Sequence, residues 1–271
     1  MTFIEKYPVV SHELIHYALM FADSLKEYRV PGVQYARLDF VYDFAESFGI
    51  SRGTVRTNLS RMKKDGYVES VGNDGAARYR VSALQLETMR NVMKRKKARA
   101  KGYKIAVYSF ERSGEKARSE ARSILEYAGF VRFAQNAFVN AGIDDRELRK
   151  TLDAAGVGEN VFIFDVPKLG DAETTALANA WNVAERARFL SEFYGDLRAF
   201  LPGTDEDAKS SFGKLGYAWV AYIMHVYLTE PPFPEEILPP GYDFDGMYSF
   251  LKKQSMSHGM KLMRYYRDSN K

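Results

Sequence analysis

Between residues 51 and 81 the chain changes its hydrophobic period, and that change leaves few folds open to it. From Ser51, a good N-cap, the apolar positions Val55, Leu59 and Met62 recur at helical spacing. After Gly66 the period falls to two. Residues 67–71 and 77–81 read as strands joined across Gly72-Asn73-Asp74-Gly75, a hairpin signal. Two helical stripes precede this stretch. One carries Leu14, Ile15, Ala18, Leu19, Ala22 and Leu25 ahead of the Pro31-Gly32 break. The other spans about 34–48, with Leu38, Val41, Phe44, Ala45 and Phe48, and closes at Gly49.

Three helices followed by a hairpin predict a winged helix-turn-helix over residues 1–85. On a helical wheel centred on Val55, the third helix opposes its buried stripe with Gly53, Thr57, Ser60, Arg61 and Lys64, with Arg56 at the margin. Small hydrogen-bonding groups in the first turns and cations in the later ones suit a helix that enters the major groove. The former read base edges and the latter hold phosphates. The expected DNA-binding residues are therefore Ser51, Arg52, Gly53, Arg56, Thr57, Ser60, Arg61 and Lys64, with Arg78 on the second hairpin strand. Gly53 costs roughly 1 kcal/mol against alanine in a helix, a cost that makes sense where backbone must lie close to DNA.

Further along, the pattern predicts a basic linker helix over 86–101. The order strand, helix, strand, strand, helix, strand follows over 102–168, the order of a ferredoxin-like domain. A helical C-terminal domain is expected over 169–271, with one helix at about 172–201, another at about 206–228 and a last one from about 244. The fold class expected is α+β. The 271 residues, 46% of them hydrophobic, support several such domains.

Charge is concentrated. Arg90, Lys94, Arg95, Lys96, Lys97, Arg99, Lys101 and Lys104 lie in one stretch without an acid, although the whole chain is only +4. A basic segment beside a net-acidic remainder points to a polyanionic partner. The absence of cysteine excludes disulfides and thiolate metal sites. No apolar run reaches membrane-spanning length and the N-terminus lacks the pattern of a signal peptide, so a cytoplasmic protein is expected.

Two enzyme patterns are present in part. His12-Glu13-Leu14-Ile15-His16 matches H-E-x-x-H, the pair of histidines and general base of zinc proteases. The match lacks its surroundings: Leu19 and Ala22 occupy the places where an extended motif would need glycine and histidine, and only eleven residues precede His12. Both histidines are expected on the polar side of their helix. The middle domain resembles small ferredoxin-like nucleases, but Ser109 or a neighbour stands where a metal-binding aspartate would end the first strand, and a hydroxyl cannot replace a carboxylate for magnesium. A metal-dependent nuclease is thus the disfavoured alternative. No catalytic residue, metal or resident cofactor is expected.

The segment FGISRGTVRTNLSRMKKDGYVES, with ARYRVS after it, resembles the PaaX family of bacterial repressors of phenylacetate catabolism. The likeness continues through YKIAVYSFERSGEKARSEARSILEYAGF and EPPFPEEILPPGYDFDGMYSFLKK. It departs at Ser109-Phe110-Glu111, where a Pro-Glu pair is expected, and at Tyr242, where the motif usually has tryptophan. The resemblance implies a homodimeric repressor of a catabolic operon, bound to a double-stranded DNA operator and released by an acyl- or aryl-CoA of the phenylacetyl-CoA type. The aromatic residues Trp181, Phe193, Tyr194 and Trp219 are candidates for lining the effector pocket.

Overall fold

The computed structural model describes residues 1–24, 35–72, 77–87, 102–111, 114–141, 145–203, 205–230 and 233–269. The chain forms two compact units, one comprising Met1–Lys94, Leu190–Glu230 and Asp243–Lys271, the other Arg95–Phe189 and Pro231–Tyr242. It therefore passes between them at four points. The hairpin turn at 73–76, the Pro31-Gly32 break and the basic linker from residue 88 to 101 lie outside the described residues.

In the first unit a short helix, α1 (Phe3–Lys6), opens with a capping box between Thr2 and Glu5. Next come α2 (Ser11–Ser24), strand β1 (Ala36–Arg37), α3 (Leu38–Glu46) and α4 (Arg52–Lys64). The hairpin β2 (Val68–Val71) and β3 (Arg78–Val81) completes a three-stranded antiparallel sheet in the order β1-β3-β2. The core is built from the predicted stripes and hairpin strands, with Phe40 added from outside them: Leu14, Ile15, Ala18, Leu19, Phe40, Val41, Phe44, Val55, Leu59, Met62, Val68 and Val81 are all buried. At the end of α4, Gly66 turns the chain in the left-handed region (φ 76°), which a Cβ would oppose. Strand β1 has no counterpart in the expected pattern, because two residues are too few to carry a period.

The helices of the tail do not form a domain of their own. α8 (Val183–Phe200) joins the first unit from Leu190, and α9 (Ala208–Tyr222) and α10 (Phe244–Ser269) belong to it entirely. α9 is buried on most sides, from Ser211 through Leu215 and Tyr217 to Tyr222, as a helix at the centre of a core must be. Phe212 packs against Phe44 and Phe40 with ring centroids 5.1 and 5.3 Å apart. A Cβ on Gly216 would meet the rings of Tyr17 (2.7 Å) and Phe44 (3.0 Å), so glycine is what lets α9 approach α2 and α3 this closely. At the N-terminus, Phe3 stacks on Phe200 at 4.6 Å, while Lys6 and Tyr7 both bind Asp196, at 2.6 and 2.8 Å. The expected boundary at 169 thus gives way to a core shared by both ends of the chain. The long helix expected over 172–201 is also two, α7 (Asp171–Ala180) and α8. They break at Asn182, which takes φ 51°, a conformation asparagine tolerates better than most side chains.

The second unit holds β4 (Tyr103–Tyr108), α5 (Glu115–Tyr127), β5 (Val131–Ala134), β6 (Ala137–Ala141), α6 (Asp145–Ala154) and β7 (Val161–Val166). The four strands are antiparallel in the order β5-β6-β4-β7. Helices α5 and α6 cover one face through Ala121, Leu125, Leu148 and Leu152 on Ala106, Tyr108 and Phe138. On the other face, Leu177 of α7 covers Tyr103, Val139 and Ala141. The proline-rich connector folds onto this unit too: Phe233 and Ile237 pack with Val183, and the Tyr103 hydroxyl donates to Glu236 at 2.8 Å.

Candidate nucleic-acid interface

The candidate site is the outer face of α4. Ser51 caps the helix as its sequence position predicts, accepting from the Thr54 amide at 3.2 Å. Inward, Val55, Leu59 and Met62 are buried, and this anchors the opposite face toward solvent. Arg52, Gly53, Arg56, Thr57, Ser60, Arg61 and Lys64 are all exposed. Five of them, Arg56, Thr57, Ser60, Arg61 and Lys64, line one open groove of about 470 Å3. The first turn of α4 has no acid, and its last turn carries Arg61, Lys63 and Lys64, which complement the helix dipole there.

Several of these cations are held in place. Arg56 donates from Nε to the Tyr42 hydroxyl of α3 at 2.6 Å, and Arg61 donates to Asn58 Oδ1 at 3.1 Å. Asn58 in turn donates to Ser11 Oγ at 3.0 Å, tying α4 to the start of α2. Arg52 is paired with Glu46 at 2.7 Å, so its charge is largely neutralised within the protein. The Thr57 hydroxyl donates to the Gly53 carbonyl at 3.0 Å, and Ser60 and Lys64 point to solvent without such a constraint among the described residues. Burial pushes the nearby Tyr79 phenol upward, with Tyr42 adding to the rise and the Arg56 charge pulling the other way.

Arg78, on β3, is exposed and stands directly opposite Arg37 of β1. Like charges facing each other across a sheet are unfavourable, and Arg37 offsets its own by pairing with Asp39 at 3.3 Å. Of the basic stretch, only Lys104 lies among the described residues. It is not part of a free basic face: it sits on β4 between Asp145 and Asp165, with its side chain 18% exposed and its pKa raised first by the Asp165 hydrogen bond.

Tyr42 and Asn58 were not among the expected site residues. Asn58 leaves a trace in the sequence, a polar side chain at the i+3 position of the apolar stripe from Val55. Tyr42 leaves none, because its link to Arg56 depends on how α3 and α4 cross.

The histidines of the opening motif diverge. His12 is half-exposed and lies 3.2 Å from Glu13, whereas His16 is 8% exposed rather than on a polar face. α2 contacts α9 as well as α3, α4 and β3, so its buried surface is wider than a single apolar stripe foretells. Burial lowers the His16 pKa to about 4, with His12 adding to the effect, and its Nε2 has no hydrogen-bond partner among the described residues. No group of three His, Cys, Asp or Glu side chains that could hold a metal ion occurs among those residues. The aromatic residues considered for a pocket each have partners within their own unit. Phe193 is fully buried against Tyr7, Trp219 donates to Ser255 at 2.8 Å in the first unit, and Trp181 packs on Phe233 in the second.

Residues 30–84 match the family model described as PaaX-like protein. That PaaX-like segment contains α3, α4 and the hairpin, and with them every residue of the candidate site. No curated protein matches the chain. Among solved structures it is similar to the uncharacterized protein Rv0674 from Mycobacterium tuberculosis, with a TM-score of 0.57 at 17% identity over 95% of this chain and 99% of that one. At that identity the likeness is one of fold. No described helix is long and apolar enough to cross a membrane.

Proposed function

We propose that this chain is a sequence-specific, double-stranded DNA-binding transcriptional regulator of the PaaX type, with a winged helix-turn-helix in its first unit and a ferredoxin-like second unit. The PaaX-like match suggests a regulator of phenylacetate catabolism rather than an enzyme. The observation that carries the reading is the groove on α4, where exposed hydroxyls and tethered arginines line a helix whose other side is fixed in the core. In this reading Arg56, Thr57 and Ser60 meet base edges, and Arg61, Lys64 and Arg78 meet phosphates. A phosphate beside Arg78 would also relieve its opposition to Arg37.

One recognition helix makes few base contacts, so the protein acts as a homodimer on a pseudo-palindromic operator. Support for self-association comes from β7, the outer strand of its sheet, which exposes Phe162 (49%) and Phe164 (54%) side by side. The regulator represses its operon until an acyl- or aryl-CoA binds. A cavity of about 580 Å3 in the first unit offers Lys261 and Arg264 for phosphates and Met260 and Tyr265 for an apolar group. Tyr265 lies 6.1 Å from Phe40 of α3, which gives a bound effector a route to the reading head.

Mobility shifts on the native promoter test the proposal. Arg56→Ala should weaken binding to the preferred site by roughly 1–3 kcal/mol and relax base preference. Unchanged binding would remove α4 as the reading element.

A further inference from the structure

A guanidinium can read a guanine only if its two terminal nitrogens are aimed, and on an exposed helix face an arginine samples many rotamers before it binds. Arg56 and Arg61 of the α4 groove are both tethered, but Arg61 spends Nη2 on Asn58 whereas Arg56 is held through Nε. Its Nε donates to the hydroxyl of Tyr42 at 2.6 Å, a ring that is 3% exposed and fixed in the core of the first unit. The guanidinium also lies over the same ring, at 5.8 Å from its centroid, and Arg52 lies over it at 5.2 Å. The Nε bond leaves Nη1 and Nη2 to donate elsewhere, and Arg56 lines the groove together with Thr57, Ser60, Arg61 and Lys64.

We infer that Tyr42 is a positioning residue for base recognition: by accepting from Arg56 Nε it presets the arginine for bidentate contact with a base, most simply the O6 and N7 of guanine. The inference rests on the DNA-binding reading of α4 and adds a residue outside the recognition helix that sets its sequence preference. Tyr42 itself need not touch DNA. Its ring fills the core and its hydroxyl limits where Arg56 can point. Removing that hydroxyl keeps the volume, the fold and the number of cations, so the loss should fall on discrimination rather than on general affinity for DNA.

The test begins with a duplex selected by the wild-type chain from a randomised 30-base-pair pool, and measures the ratio of its affinity to that for an unselected duplex. Tyr42→Phe should lower this ratio about tenfold, within the discrimination that one bidentate base contact provides. It should leave the melting temperature and the dependence of affinity on salt close to those of the wild type, since no phosphate contact is lost. On an Arg56→Ala background, Tyr42→Phe should have no further effect on the ratio. Tyr79→Phe removes a neighbouring hydroxyl not bonded to Arg56 and should leave the ratio unchanged. An undiminished ratio in Tyr42→Phe would overturn the inference while leaving α4 as the reading helix, and so would an equal loss on both duplexes accompanied by a lower melting temperature. Selection that enriches no sequence with wild-type protein would instead overturn the DNA-binding reading itself.

Discussion

Gly53→Ala should make the protein more stable and a worse DNA binder at once. Gly53 is the second residue of α4 and adopts ordinary helical geometry, with a negative φ. A Cβ built there meets only Ser51 Oγ, at 3.7 Å, an ordinary van der Waals contact. Nothing among the described residues requires glycine at this position, and alanine there should add roughly 0.5–1 kcal/mol of helix stability. For a unit of this size that corresponds to a rise in melting temperature of about 1–4 °C. The same position lies at the helix N-terminus, where the first amides have no intrahelical acceptor and Ser51 occupies that of Thr54. In the DNA-binding reading a phosphate oxygen approaches the Gly53 amide, and a Cβ beside that amide would crowd it. Loss of one such charged hydrogen bond costs about 1.5–3 kcal/mol, or about 10- to 150-fold in affinity. Calorimetry and a mobility-shift titration of the two proteins decide the matter together. A lower melting temperature would contradict the assignment of unstrained helical geometry. A higher one with unaltered affinity would show that the glycine has no part in binding.

Other outcomes follow from the same geometry. His16 has a folded-state pKa of about 4 against about 6.5 in an unfolded chain, so as pH falls the unfolded chain takes up the proton first. Stability present above pH 6.5 should decline between pH 6.5 and 4 by about 3 kcal/mol, and His16→Leu should flatten that part of the profile in urea titrations. If Phe162 and Phe164 meet a second copy, Phe164→Asp should yield monomers in sedimentation and lose operator affinity, whereas a dimer that persists would place the contact elsewhere. Replacing Lys261 and Arg264 by alanine should leave operator binding intact but abolish its release by a panel of CoA thioesters. Release that persists would move the effector away from the cavity beside α10.

Residues 51–81 were legible because their chemistry is local. A cap at Ser51, a stripe at Val55, Leu59 and Met62, and a change of period after Gly66 each act within a few residues. The succession of elements along the second unit follows from the same kind of signal, since β4, β6 and β7 are short apolar runs and the stretch between β4 and β5 carries the helical stripe Ala117, Ala121, Ile124, Leu125 and Ala128. The fate of the tail was not legible. Phe212 and Gly216 read as part of an ordinary apolar helix, and nothing in their spacing says that the partners are Tyr17, Phe40 and Phe44, far earlier in the chain. The same holds for His16, on a helix packed by α9 as well as by α3, α4 and β3, and for Lys104, whose charge is claimed by Asp165 across the strand pair. For the site itself, the sequence located the exposed face of α4 but not what steadies it, because Tyr42 and Arg56 meet only through the packing of two helices.

The four passages of the chain between its units bear on what the cell can make of this gene. Residues 1–94 contain α4 and its hairpin, yet their core is closed by Phe193, Phe212 and Tyr217 from the other end of the sequence. A nascent chain that has emerged only to residue 94 therefore leaves Phe3, Phe40 and Phe44 without those partners, and a premature stop leaves them so permanently. That core can close only after Tyr217 has been synthesised. Products that end before Phe193 are then candidates for degradation rather than for occupancy of operators, so a nonsense mutation ahead of Phe193 should have the phenotype of a deletion.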